Sequence, residues 1–261
     1  MVKGEGKSTV SRRIKIMEML KANGKVDVKE LSDLLGVTGV TIRNDLEQWA
    51  KKNILIRARG GAIKIEQSYS NEDFPLSDKQ KKNFVEKREI GKKAAELISN
   101  NNTIILDSGS TVHQLAKNLR NFEELTVITN ALNVATLLAE FKNINVIVPG
   151  GTLKKNSLSL FGILAEKGFR DYFCDKLFLG VDGFDLDFGI STPSPEEAYL
   201  NQIMIDISKE VIVLADSSKF ERRGFAFIAP VCKINIVITD KGIRPEYKSR
   251  LEATGIKVIV V

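Results

Sequence analysis

The 261 residues predict an α/β protein in two parts: a winged helix-turn-helix over residues 1–65 and an α/β domain over 84–261, with a linker at 66–83. Three observations carry that prediction. First, charge is uneven: residues 1–65 hold 14 Lys and Arg against 7 Asp and Glu, a net of +7, and the other 196 residues hold a net of −1. A compact cationic piece beside a near-neutral one marks where a polyanion would be met. Second, Leu35-Gly-Val-Thr-Gly-Val-Thr-Ile-Arg-Asn-Asp-Leu46 reads as a tight turn followed by a helix. Third, from Phe84 onward short apolar runs alternate with helical stretches, the pattern of a largely parallel sheet.

In the N-terminal part, residues 1–8 offer little to bury. Ile14, Met17, Leu20 and Ala22 give residues 9–23 a mostly helical spacing, stopped by Asn23-Gly24. Asp27 is placed to cap a short helix over 28–35 that carries Leu31, Leu34 and Leu35. Gly36 supplies the residue that ends it, since glycine lacks the Cβ that makes φ > 0 costly. Val37 is expected to fill the core under the turn, and Thr38 to cap a helix over about 38–52. Val40, Ile42 and Leu46 are that helix's apolar positions, with Trp49 and Ala50 a turn later. Gly39, Thr41, Arg43 and Asn44 then face outward, near the end that such a motif places in the DNA major groove. Residues 54–65, centred on Gly60-Gly61, read as a β-hairpin whose Arg57 and Arg59 would meet phosphates or the minor groove. The expected DNA-contacting residues are therefore Thr38, Thr41, Arg43, Asn44, Lys51, Arg57 and Arg59, with Lys52 as a further phosphate contact.

Residues 66–83 are polar, contain Pro75 and show no period, hence the linker. Val85, Ile90, Ala94, Ala95, Leu97 and Ile98 then mark a helix. Strands are expected at 103–107, 125–129, 144–148, around 152–160, and at 176–181, 211–215, 234–239 and 257–261. Helices are expected at 110–120, 131–141, 162–171, 195–208 and 245–253.

Ligands of parallel α/β sheets bind beyond the carboxyl ends of the strands. Small polar residues and glycines stand at those ends here: Asp107-Ser108-Gly109-Ser110-Thr111, Thr129-Asn130, Gly150-Gly151, Gly180-Val181-Asp182-Gly183 and Asp216-Ser217-Ser218-Lys219. Each alone is ordinary turn chemistry. Five of them on one sheet edge point to a small, polar, anionic ligand, with backbone N–H groups and hydroxyls at 108–111 able to hold a phosphate. Asp182 could accept from a sugar hydroxyl or merely shape its turn, and Lys219 could neutralise a phosphate or pair with Asp216. Glu196 and Glu197 open a helix, where carboxylates compensate the helix dipole unless one contacts ligand hydroxyls.

These residues together resemble the DeoR family of bacterial transcription regulators. The resemblance runs through Leu34-Leu35-Gly36-Val37-Thr38-Gly39-Val40-Thr41-Ile42-Arg43-Asn44-Asp45-Leu46 and Arg57-Ala58-Arg59-Gly60-Gly61-Ala62. It continues through Glu86-Lys87, Ile90-Gly91, Leu106 to Thr111, Thr129-Asn130, Gly150-Gly151, Gly180 to Gly183, Glu196-Glu197-Ala198 and Ala215 to Phe220. It implies that Thr41, Arg43 and Asn44 face operator DNA. It also implies a C-terminal effector domain similar in fold to ribose-5-phosphate isomerase, holding a phosphorylated sugar at Asp107, Ser108, Gly109, Ser110, Thr111, Asn130, Gly150, Gly151, Asp182, Glu196, Glu197 and Lys219. The family often has Arg-Arg-Asp-Leu where this chain has Arg43-Asn44-Asp45-Leu46, so the base read there differs, because asparagine suits adenine. Ser191 to Ala198 and Phe227 to Pro230 look more like the amino-sugar and galactosamine regulators of the family.

The expected function is a sequence-specific repressor of a sugar or amino-sugar operon, acting as a homodimer or homotetramer on half-sites about 34 Å apart. Two rivals stand beside it: a sugar-phosphate isomerase or deaminase carrying a DNA-binding head, with Glu196 or Glu197 as base, and a non-specific DNA-binding protein. Cys174 and Cys232 lack CxxC spacing and read as small buried hydrophobes, and the single histidine, His113, argues against a histidine-rich metal site. No cofactor, metal or catalytic residue is expected. No apolar run reaches 18 residues and the N-terminus lacks an apolar signal core, so the expectation is a cytoplasmic protein with no membrane span.

Overall fold

The computed structural model describes residues 12–13, 15–16, 18–20, 25–51, 55–58, 60–64 and 74–261. The chain forms two compact units, Met1–Ser68 and Tyr69–Val261.

In the first unit, helical residues between 12 and 20 bury Ile16 and Leu20. Asp27 then serves two elements. It ends strand Lys25–Asp27 and caps helix Val28–Leu35, its carboxylate accepting from the N–H groups of Lys29 (2.7 Å) and Glu30 (3.2 Å). Gly36 closes that helix at φ 63°, the left-handed turn expected of it. Helix Gly39–Lys51 follows, then strands Leu55–Ala58 and Gly61–Lys64. The hairpin is as expected, but Lys25–Asp27 pairs antiparallel with Gly61–Lys64 to make three strands. A three-residue strand whose partner lies far along the chain leaves no periodicity to read. Among the described residues, ten buried ones, Leu31, Leu35, Ile42, Leu46 and Leu55 among them, form this unit's core, with Val37, Trp49 and Ala50 packed on it. Each fully buried aliphatic side chain contributes about 1.5–3 kcal/mol. Two expected core positions are instead exposed: Leu34 and Val40, the latter at 61%.

The second unit is built on seven parallel strands. Their order is Lys257–Val260, Ile236–Thr239, Ser208–Leu214, Cys174–Gly180, Thr103–Leu106, Leu125–Thr129 and Ile144–Ile147. Alternate residues face opposite ways. Ile105, Leu177, Leu179, Val211 and Val213 join one apolar layer with helices Ile163–Arg170, Pro195–Asp206 and Pro245–Ala253. Ile104, Leu106, Phe178, Ile212 and Leu214 join the other with helices Phe84–Ala95, Ser110–Ala116 and Leu132–Leu138. The α/β class and the parallel sheet are therefore as expected.

The departures are local. Residues 152–160 hold two short strands, Thr152–Lys154 and Ser159–Phe161, joined as a hairpin. A small antiparallel sheet of Gly183–Asp185, Gly189–Thr192 and Ala226–Ala229 escaped the sequence reading, because glycine, aspartate and proline interrupt it. Cys174 is buried, whereas Cys232 is exposed. Residues 74–83 are no linker: helix Leu76–Lys81 buries Leu76, whose N–H donates to Asn156 O at 2.7 Å. Among the described residues no helix is long and apolar enough to cross a membrane.

Candidate DNA-reading face and ligand cleft

The first candidate surface is the start of helix Gly39–Lys51. Thr38 Oγ1 accepts from Thr41 N–H (3.3 Å) and lies 3.0 Å from Thr41 Oγ1, so the cap predicted from sequence is formed. Ile42, Asp45, Leu46 and Trp49 face inward, which turns Val40, Arg43 and Asn44 outward. Val40 lies at the i, i+3, i+4 spacing from Arg43 and Asn44, and so belongs to the outer face. The sequence signal that missed this was hydrophobicity itself. Asp45 is the converse case, a charged residue on the inner face. It is buried at 3%, and its two oxygens accept from Arg12 Nε and Arg13 Nε, each at 2.7 Å. Burial pushes that carboxyl up, but the two guanidinium groups outweigh it and hold it below 3.8. The pair pins the preceding helical segment to the helix that carries Arg43. Arg59, Lys52 and the side chains of Lys51 and Arg57 lie outside the described residues.

The second candidate is a cleft at the centre of the sheet. Strand Thr103–Leu106 has the two strands that follow it in the sheet on one side, and Cys174–Gly180 with its successors on the other. Strand order therefore reverses between these two neighbours. That reversal parts the loops above them and opens a crevice at their carboxyl ends. Asp107 closes one strand and Gly180 the other, and they meet: Gly180 N–H donates to Asp107 Oδ2 at 3.3 Å, and Asn201 Nδ2 to Oδ1 at 3.1 Å. Burial, reinforced by the charge of Glu197, pushes the Asp107 carboxyl up to about 7.

Two adjoining lobes, of about 60 and 320 Å³, make up the cleft. The smaller is lined by Asp107, Ser108, Gly109, Ser110, Thr111 and Glu197, and both by Ser110, Asp182 and Lys219. Asp182 accepts from Lys219 Nζ and Lys79 Nζ, each at 3.2 Å. Burial raises its carboxyl, but the two ammonium groups prevail and lower it. Lys219 thus pairs with Asp182, rather than with Asp216 as the sequence allowed. Glu197 accepts from Ser157 Oγ (2.9 Å) and Ser159 Oγ (3.2 Å), with Lys154 Nζ at 3.4 Å.

Eight of the twelve expected ligand residues line this cleft; four do not. Asn130 is buried and donates to Leu160 O, bracing the hairpin. Gly151 serves packing, since a Cβ there would stand 2.7 Å from Phe161 O, and Gly150 serves its turn, at φ 88° with open space around it. Glu196 is exposed and accepts from Ser194 Oγ at the helix start, the dipole-compensating role.

Lys79, Lys87 and Asn201 were missed. Lys87 is buried, donates from Nζ to the carbonyls of Lys79 (2.7 Å) and Lys82 (2.5 Å), and lies 3.9 Å from Asp216 Oδ2. Burial lowers its ammonium from the usual 10.5, partly opposed by Asp216. A signal existed for two of the three. Lys87 shares the inward stripe of Ile90, Gly91 and Ala94, and Asn201 that of Ala198, Met204 and Ile205. A polar residue on an apolar stripe is the mark of a buried, partnered group.

Two family models match the chain: a DeoR-like helix-turn-helix domain over residues 12–68 and a DeoR C terminal sensor domain over 82–241. The chain is 38% identical over 253 residues to a protein of Escherichia coli O157:H7 that carries the name of an aga operon transcriptional repressor, covering 97% of this chain and 94% of that one. It is 40% identical over 250 residues to the HTH-type transcriptional regulator YulB of Bacillus subtilis, covering 96% of each. It is 30% identical over 225 residues to the glycerol-3-phosphate regulon repressor of Escherichia coli K12, covering 86% and 88%. Among solved structures, the sorbitol operon regulator SorC of Klebsiella pneumoniae aligns over 94% of this chain and 99% of its own, at 14% identity and a TM-score of 0.42. Ribose 5-phosphate isomerase A of Methanocaldococcus jannaschii aligns over 51% and 53%, at 18% identity and a TM-score of 0.38. Both structural likenesses are too slight to carry an inference.

Proposed function

The chain belongs to the DeoR family of transcriptional regulators, and on that premise we propose that it represses a sugar or amino-sugar catabolic operon, with a phosphorylated sugar in the cleft setting its operator affinity. The observation that carries the ligand half is the meeting of both charge signs at the strand reversal. Lys79, Lys87 and Lys219 line the cleft together with Asp107, Asp182 and Glu197. Ammonium groups suit a phosphate dianion, and carboxylates accept from sugar hydroxyls or an amine. The name of one relative, for the glycerol-3-phosphate regulon, is that of a small phosphorylated polyol.

Operator reading falls to the outer face of helix Gly39–Lys51. Arg43 suits guanine, Asn44 adenine, and Val40 the methyl of thymine, each good bidentate pair giving about 1–3 kcal/mol of discrimination. Thr38 and Thr41 add contacts at the helix start, and Lys51, Lys52, Arg57 and Arg59 salt-sensitive phosphate contacts. One such face specifies few bases, so two or four copies would bind repeated half-sites together. The ligand acts by binding the DNA-competent and DNA-incompetent states unequally.

Fluorescence anisotropy on the DNA upstream of the protein's own gene tests this, with and without a panel of sugar phosphates. Specific binding that shifts with one sugar phosphate is expected. Equal affinity for any duplex at moderate salt would falsify the repressor reading. An isomerase reading has little to stand on: Glu196 is outside the cleft, and Glu197 is held by two serines and Lys154.

A further inference from the structure

The stretch Phe74 to Asn83 belongs to the chain that leads from the first unit into the second, and it forms a wall of the cleft. Its helix, Leu76–Lys81, has six residues and one buried side chain. A helix that short is not held by its own hydrogen bonds, because the nucleating turn costs more than they supply. Other ties hold it. Lys79 Nζ reaches Asp182, and Lys87 Nζ reaches the carbonyls of Lys79 and Lys82. Asn83 Nδ2 donates to Asp216 Oδ1 (2.8 Å) and Ser218 Oγ (3.3 Å). Asp182, Lys87, Asp216 and Ser218 all line the cleft. Phe74, 48% exposed, borders both lobes.

In the larger lobe cationic side chains outnumber carboxylates. One carboxylate, Asp182, faces two ammonium groups, Lys79 and Lys219. Lys87 stands beside Asp216, whose buried Oδ2 has no hydrogen-bond partner. Lys82 and Arg222 add two more cations to the larger lobe, and Asp78 one anion. A dianion entering there neutralises surplus positive charge without displacing Lys79 from Asp182, so it adds a tie where it would otherwise have to break one.

We propose that Lys79 is a ligand-contacting residue, and that an anionic ligand in the cleft locks helix Leu76–Lys81 onto the second unit. Occupancy of the site is thereby registered in the stretch of chain that leads to the DNA-reading head. The inference rests on the reading of the cleft as an anion site, and it adds a residue and a direction of coupling to that reading.

The test uses the full chain, with inorganic phosphate as the probe and chloride at matched ionic strength as the control. Thermal shift reports phosphate binding, and amide hydrogen exchange reports residues 76–82. In the wild type, phosphate is expected to raise Tm and slow exchange over 76–82 by about tenfold, more than elsewhere in the second unit. Lys79→Gln is expected to weaken phosphate binding about tenfold and abolish the local slowing, and Lys79→Arg to restore both. Lys219→Gln is expected to weaken phosphate binding as well. If phosphate slows exchange over 76–82 equally in wild type and Lys79→Gln, while Lys219→Gln loses the response, the Lys79 assignment is overturned and the anion site stands. If wild type responds to phosphate no more than to chloride, the anion site is overturned and the Lys79 assignment with it. Slowing spread evenly over the second unit overturns the locking of the helix, whether or not any variant folds.

Discussion

The two units place their chemistry in opposite ways. In the head, the side chains proposed to read DNA are exposed and contiguous: Arg43 and Asn44 stand in solvent on one helix, over the buried Ile42, Leu46 and Asp45 carboxylate. In the second unit the groups proposed to hold a ligand are buried or half-buried and come from far apart in the chain. Lys79 and Asp182 are 103 residues apart, Lys219 and Asp182 are 37 apart, and Asn201 and Asp107 are 94 apart. The difference is what the two proposed ligands would require. A duplex is large, and it can be met by a protruding surface whose affinity comes from phosphates. A small ligand must be surrounded, so its groups have to converge, and convergence puts charges where they need partners.

The comparison breaks most visibly if the units do not behave separately. Leu46→Ala removes a fully buried side chain from the head's core, at a cost of about 2–5 kcal/mol. Calorimetry should show the head's transition lowered or lost, with the second unit's transition and its phosphate response intact. Loss of both together would mean that the head is no independent unit. Next in size is Arg43→Ala. It should weaken operator binding by about 1–3 kcal/mol and relax preference at one base, leaving the phosphate-induced shift in Tm unchanged. Lys219→Ala should do the reverse: phosphate binding weakened about tenfold, operator affinity without ligand unchanged. A variant that moved both readouts equally would erase the distinction drawn here.

Legibility in the sequence followed the same division. The head's helices, its Asp27 and Thr38 caps and the Gly36 turn were legible, because caps and turns are made by neighbours in the chain. Val40 was misplaced because burial is decided by the third dimension, and a valine on the outer face looks like any other valine. In the second unit the strands and the Asp107 to Thr111 and Asp182 turns were legible as strand-end chemistry, and the structure does bring them together. Asn130, Gly150 and Gly151 carry the same local signature, yet Asn130 braces the hairpin, Gly151 packs against it and Gly150 makes a left-handed turn. Lys79 was hidden twice over. It sits in a polar stretch that reads as linker, and its partner, Asp182, can be found only once the sheet is assembled.

The remaining contrast is one of sign, since one carboxylate in each unit is predicted to titrate in the opposite direction. Asp45 in the head is held below 3.8, so its contribution is present above the unfolded value and is lost as pH falls through the folded one. Asp107 in the second unit is pushed up to about 7, so the folded state holds a proton that the unfolded chain has released. Its contribution is complete below 3.8, falls as pH rises, and is gone above about 7, with a slope of at most about 1.4 kcal/mol per pH unit. His113 opposes it over part of that window. Burial, then Lys117, lowers its imidazole from 6.5, so its neutral form favours the fold as pH rises towards 6.5. The measurement is therefore a difference: the second unit's transition in wild type minus that in Asp107→Asn, by calorimetry at intervals from pH 4 to 8. The difference should fall with pH across that window, while the head's transition stays level there and drops only below 3.8. A flat difference would place the Asp107 carboxylate in contact with water, and the cleft could then no longer be the enclosed counterpart of the head's open face.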